Sequence, residues 1–88
     1  MNRKDTLKWF AGKMLSHLDE NTWKVHWRFV PQEDLIEKLD EQSSKLYKEL
    51  KLDKPRTEVI HTAVIRRCAH IANYAMMIAD NERRFLEK

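Results

Sequence analysis

One glycine, two prolines and one cysteine are all that the 88 residues hold of the types that break, bend or staple a chain. With so few turn-formers, few and long elements are expected. Cys68 has no partner for an intrachain disulfide, so it reads as a small buried hydrophobe and calls for no oxidising compartment. No stretch approaches the roughly 18 consecutive apolar residues of a membrane span. The opening "MNRKDTLKWFAGKM" also lacks an apolar run closed by a small-residue cleavage site, which points to a cytoplasmic protein with no membrane contact.

Charge of a single sign is missing as well. Seventeen Lys and Arg against fourteen Asp and Glu leave +3, but the signs alternate along the whole chain. A nucleic-acid footprint clusters its cations on one face, so nucleic acid is not an expected partner. His17, His26, His61 and His70 show no His-x-x-x-His spacing, no Cys-x-x-Cys occurs, and neither a Gly-rich phosphate loop nor a Gly-x-Ser-x-Gly elbow is present. Zinc chemistry and the standard nucleophiles are therefore not expected.

What remains is helical periodicity. Leu7, Phe10, Met14 and Leu18 recur every three or four residues and predict a first helix over about 6–18, with Asp5 or Thr6 as its cap. "NTWKVHWRFVPQ" follows, reads as irregular, and holds Trp23, Trp27 and Phe29, which either cap the core or wall a pocket. Pro31 suits the first turn of a second helix, "QEDLIEKLDEQSSKLYKEL", striped by Leu35, Leu39, Leu46 and Leu50, with polar Gln42 and Ser43 at mid-stripe. "KLDKPR" is short enough to make the third helix its antiparallel neighbour. Thr57 caps that helix, which runs to about Arg84 with Ile60, Val64, Ile71 and Ile78 as its inward seam. The fold class is all-α: an antiparallel helical bundle, three main helices in a single domain over 1–88.

A chain this small buries only about 60% of its unfolded surface. The third helix is apolar on a further side, through Ala69, Ala72, Ala75, Met76 and Ala79. The simplest cover for it is another subunit, so a homodimer is expected.

Through the most apolar helix runs a polar line, Arg67, His70 and Asn73, facing Gln42 and Lys45 on the second helix. Unpaired buried charge costs several kcal/mol. Two accounts stand: a salt-bridge network among Glu41, Lys45, Arg67 and His70, with Glu37 and Glu41 as the nearest counter-charges, or an anion pocket. Glu37, Asp40 and Glu41 are a weak candidate for a divalent cation, since a hard cation needs oxygens from more than one element.

The patterns "FAGKM...L..N..K..W", "L..KL.E....L...L" and "A.IANYAMMIADN" resemble the small MazG-like proteins of the all-α NTP pyrophosphohydrolase superfamily, over roughly Trp9 to Arg84. The run from Ile71 to Asn81 is the most specific part, and the family's usual Lys-Gly-Gly-Trp reads Lys24-Val25-His26-Trp27. The resemblance implies hydrolysis of nucleoside triphosphates to monophosphate and pyrophosphate, with Mg²⁺ held by Glu-x-x-Glu on one helix and Glu-x-x-Asp on the next. Carried across, those ligands fall on Gln42, Lys45, Arg67 and His70, and only Glu41, the acid before the first pair, is kept. A site built for Mg²⁺ now carries about +2 where the family carries about −4, a reversal far beyond surface variation even at a dielectric near 20.

The resemblance thus leads to a catalytically degenerate MazG-like protein, with no catalytic residue, no metal and no Mg²⁺ cofactor. It would act by binding or interaction, in one version as a virus-encoded accessory protein turned on a host component. Two alternatives stay open. One is a metal-independent nucleotide or phosphate binder using Lys24, Trp27, Lys45, Arg67, His70 and Asn73; the other is an active pyrophosphohydrolase with its Mg²⁺ moved to Glu37, Asp40 and Glu41.

Overall fold

The computed structural model describes residues 1–19 and 22–87, and side chains outside 19–25. Every regular element among them is helical: α1 (Arg3–Asp19), a 3₁₀ segment (Thr22–Phe29), α2 (Gln32–Lys51) and α3 (Glu58–Leu86). α1 starts three residues before the periodicity predicts, because Asn2 caps it: the Asn2 Oδ1 accepts from the Asp5 backbone N–H at 2.9 Å. Asp5 then lies in the first turn, where its charge meets the positive end of the helix dipole. The expected irregular connection is a 3₁₀ segment kinked at His26. Pro31 precedes α2, and its carbonyl accepts from the Asp34 and Leu35 N–H groups. Thr57 caps α3 as expected, its hydroxyl accepting from the Ile60 N–H at 3.3 Å. At the other end of the connection, the Arg56 Nη2 donates to the Leu50 carbonyl at 3.0 Å, satisfying one of the orphan acceptors that end α2.

α3 is the shared partner of both other helices. At 29 residues it is about 43 Å long and sets the 49 Å long axis of the molecule. α2 packs along it antiparallel, with Gln32 at Ile78 and Gln42 at Arg67. α1 runs along it in the same direction, since Trp9 and Lys13 lie beside Thr62 and Arg66 while Leu18 reaches the Met77 cluster. Among the described residues no Cα of α1 comes within 8 Å of one in α2.

The core is small and sits toward the C-terminal half of α3. Leu35, Ala69, Tyr74 and Met77 are buried, and Leu18, Trp27, Val30, Leu39, Met76 and Ile78 are packed around Leu35, Tyr74 and Met77. The predicted seam of Ile60, Val64, Ile71 and Ile78 is only half-buried, and the deepest face holds Ala69, Asn73, Tyr74, Met77 and Asn81. The cause is geometric: α3 sits between two helices, so its deepest line lies between the two contact directions. Burial of Tyr74, and secondarily the charge of Glu41, raises the phenol above its usual pKa.

Amide side chains close the C-terminal end. Asn81 Nδ2 donates to Gln32 Oε1 at 3.0 Å and to the Trp27 carbonyl at 3.3 Å. Gln32 Nε2 donates in turn to the Ile78 carbonyl and Glu82 Oε1, both at 3.1 Å. Three elements meet there with their polar groups paired, which lets Asn81 be buried without an unpaired amide nitrogen.

Leu35→Ala is expected to lower unfolding free energy by about 2–5 kcal/mol, since a fully buried leucine leaves a cavity. Leu86→Ala, at 89% exposure, should change it by less than about 0.5 kcal/mol. Urea denaturation monitored by circular dichroism compares them, and equal effects would contradict the location of the core.

Candidate functional site: the crossing of α2 and α3

Gln42 of α2 and Arg67 of α3 do meet. The Arg67 Nη1 donates to Gln42 Oε1 at 2.8 Å, and its Nε donates to Glu49 Oε1 at 2.5 Å, with Nη2 completing the ion pair to Glu49. Both charged side chains are about three-quarters covered, at 25% exposure for Arg67 and 22% for Glu49. The guanidinium's planar fork holds a carboxylate and an amide together, a geometry that lysine's point charge does not reproduce. Glu49 Oε2 is buried without a hydrogen-bond partner, so the cluster is neutral in sum and has an acceptor to spare.

The counter-charge is therefore Glu49, rather than Glu37 or Glu41. Glu41 is half-exposed and lies 3.9 Å from each of Lys38 and Lys45. Pairs so exposed contribute at most about 1 kcal/mol. Lys45 is thus drawn to the solvent side of α2, away from the Arg67 cluster.

His70 turns toward α1. Its ring lies against His17, centroids 5.3 Å apart and planes tilted by 35°. Asn73 goes the same way: at 1% exposure its Nδ2 donates to the Met14 carbonyl at 2.9 Å, and its Oδ1 is buried with no hydrogen-bond partner. The polar line of α3 accordingly divides, Arg67 joining α2 while His70 and Asn73 join α1.

Trp27 is a structural anchor. Its Nε1–H donates to Asp80 Oδ2 at 2.9 Å, its ring packs on the core cluster, and its carbonyl accepts from Asn81. Asp80 also accepts from Arg83 and Arg84. The Trp27 hydrogen bond first, then those of the arginines, hold the Asp80 carboxyl below its usual pKa of 3.8. Lys24 and Trp23 lie outside the described side chains.

Glu37 and Glu41 border an open groove of about 300 Å³ with Val30, Asp34, Leu35 and Lys38, and Asp40 is not in its lining. Among the described residues no three His, Cys, Asp or Glu side chains come together as a metal ion needs. A second groove, of about 310 Å³ between α1 and α3, is lined among the described residues by Trp9, Lys13, His17, Thr62, Ile65 and Arg66. Sequence reasoning overlooked it because its residues belong to two helices whose facing sides had not been matched.

Chemically, the α2–α3 crossing is a closed ion pair. A cation brought to it meets the Arg67 guanidinium and the Glu49 carboxylate side by side, so repulsion by one and attraction by the other largely offset. An anion must displace Glu49. Comparison of the chain with protein-family models, curated proteins and solved structures gives no match.

Arg67→Met should cost about 1–3 kcal/mol of stability, because it strands a largely covered Glu49 carboxylate. Adding Glu49→Leu should return part of the loss, and denaturant melts of the three variants measure the coupling; strict additivity would contradict the ion pair. Asp80 works with a pH sign. A carboxyl whose folded pKa is depressed stabilises above its unfolded pKa, and that contribution disappears as pH falls through the lower folded value. Asp80→Asn should therefore flatten the decline in stability below about pH 4, read from thermal melts across the acid range.

Proposed function

We propose that this chain is a non-catalytic, MazG-like helical protein that acts by protein–protein association, with a homodimer as its working unit. The observation that carries the reading is the closed cluster of Arg67, Glu49 and Gln42. It occupies the helix crossing where the resemblance would put Mg²⁺ ligands, and among the described residues it leaves neither an open carboxylate set for a cation nor an uncommitted guanidinium for a phosphate. Lys45 supports it further, since it lies at the surface beside Glu41. An active enzyme with its metal at Glu37, Asp40 and Glu41 gains no support, because those acids share a single helix and Glu41 is flanked by two lysines.

Nucleotide or phosphate binding without metal is a second reading, favoured by one observation: the groove between α1 and α3 that brings Lys13 beside Trp9. It moves the anion site from the α2–α3 crossing to the α1–α3 side. A phosphate would pair with Lys13 and a base would stack on Trp9, which is 43% exposed.

Incubation with the common nucleoside triphosphates and Mg²⁺ is expected to release no pyrophosphate above a protein-free control. Release that requires Mg²⁺ and disappears in Glu41→Gln would overturn the non-catalytic reading. Restoring the acids with Gln42→Glu, Lys45→Glu, Arg67→Glu and His70→Asp should create Mg²⁺ binding detectable by calorimetry. A folded variant indifferent to Mg²⁺ would show that these positions do not correspond to the family's ligands. For the second reading, tryptophan fluorescence titrated with ATP at low salt should saturate and be lost in Lys13→Glu. A flat titration ends it.

A further inference from the structure

His17 and His70 meet where α1 lies on α3, and the spacing of their rings has a chemical reading. Both are half-buried, with ring centroids 5.3 Å apart and planes tilted by 35°. A metal ion bound to imidazole lies about 2.0–2.1 Å from the ring nitrogen and so about 3.2 Å from the ring centre, and two such rings at a tetrahedral angle have centres about 5.2 Å apart. The observed spacing matches that of two histidines sharing one ion. The tilt is compatible, because each ring can turn about its own metal–nitrogen bond. Each imidazole has a further interaction as well, and an ion needs only one nitrogen of each ring.

The surroundings suit an ion of a particular kind. His17 lines the groove between α1 and α3, so the pair opens to solvent on that side. Two histidines fall short of a three-ligand cluster, and water fills the remaining positions of such an open site. Asn73, at 1% exposure, keeps a buried Oδ1 without a hydrogen-bond partner in the same patch. It lies three residues beyond His70 on α3, and its Nδ2 donates to the carbonyl of Met14, three residues before His17 on α1. A metal-bound water is a strong donor for an acceptor of that kind. Lys13 borders the groove too, so an ion there is held by coordinate bonds to nitrogen rather than by net charge. That condition selects Zn²⁺, Cu²⁺ or Ni²⁺ over Mg²⁺ and Ca²⁺, which need several oxygens.

We propose that His17 and His70 form a two-histidine site for a divalent transition-metal ion at the seam of α1 and α3, with water completing the coordination and the Asn73 Oδ1 accepting from one bound water. The ion staples α1 to α3. α1 has need of it: none of its described side chains is buried, and among the described residues no Cα of α1 comes within 8 Å of one in α2. Binding to the folded chain alone therefore stabilises it by linkage. Spacing along one helix, the usual sign of a zinc site, is missing because the two ligands stand on different helices. The site lies apart from the α2–α3 crossing, so it does not depend on what that crossing binds.

Calorimetric titration of the full chain with Zn²⁺ in a non-chelating buffer is the test. One ion per chain is expected, with a thermal melting point raised by Zn²⁺ and not by equal Mg²⁺. His17→Gln and His70→Gln should each weaken Zn²⁺ at least tenfold, whereas His26→Gln and His61→Gln, at exposed positions, should leave it unchanged. Lys13→Glu, which should abolish a phosphate site, should bind Zn²⁺ at least as tightly as the wild type. Long-range ¹⁵N spectra of the imidazoles supply a readout that does not depend on any variant folding: Zn²⁺ should move the ring nitrogens of His17 and His70 and leave those of His26 and His61 in place. No saturable binding of Zn²⁺ or Ni²⁺, undiminished affinity in both His17→Gln and His70→Gln, or shifts of equal size at all four histidines would overturn the proposal.

Discussion

α3 has to serve two neighbours at once, and the rest of the molecule follows from that constraint. α1 and α2 each lean on it, and their Cα atoms do not come within 8 Å of one another among the described residues. A helix in that position cannot bury one simple stripe. Its deepest residues fall between the two contact directions, which is why Met77 and Tyr74 are buried while Ile71 and Val64 are only half-buried. The same demand explains the polar line. Arg67 binds α2, Asn73 binds α1 and Asn81 binds the corner where the 3₁₀ segment meets α2, so each polar group on α3 ties down a different element.

Apolar burial alone is a weak foundation for such a fold. Among the described residues four buried apolar side chains form the core, well short of what small domains ordinarily rely on. Directional contacts therefore fix the arrangement: the Arg67–Glu49 pair in the middle of the α2–α3 crossing, and the Trp27, Asp80, Gln32 and Asn81 hydrogen bonds at one end. Hydrogen bonds of this type contribute about 1 kcal/mol each and more when charged, but they specify register, which a smooth apolar stripe does not. The residual cost is visible in two buried acceptors without partners, Glu49 Oε2 and Asn73 Oδ1.

Much of this was legible from residue spacing, and the limits have physical causes. Helix periodicity located α2 and α3 to within one or two residues, and Thr57 marked its own helix start. The meeting of Gln42 and Arg67 was also readable, because antiparallel helices joined by a short connection bring mid-length positions together. The counter-ion was not read, although a signal existed: Glu49 lies seven residues from Gln42 and fourteen from Leu35, on one face of α2. Nearness in sequence to Gln42 favoured Glu41 instead, which the lysines at i−3 and i+4 hold at the surface. The contact of His70 with His17 and the Trp27–Asp80 bond join residues 53 positions apart, and periodicity on either helix carries no information about such pairings.

The Arg67–Glu49 pair closes the α2–α3 crossing, and on the proposed reading that crossing takes no cation. Mn²⁺ can stand in for Mg²⁺ as a paramagnetic probe, broadening NMR signals of nuclei near wherever it binds. In a titration of the labelled chain, the side-chain amide of Gln42 and the Nε–H of Arg67 should keep their line widths at Mn²⁺ concentrations that affect exposed carboxylates such as Glu37. Selective broadening of Gln42 and Arg67 ahead of the surface acids would contradict the account.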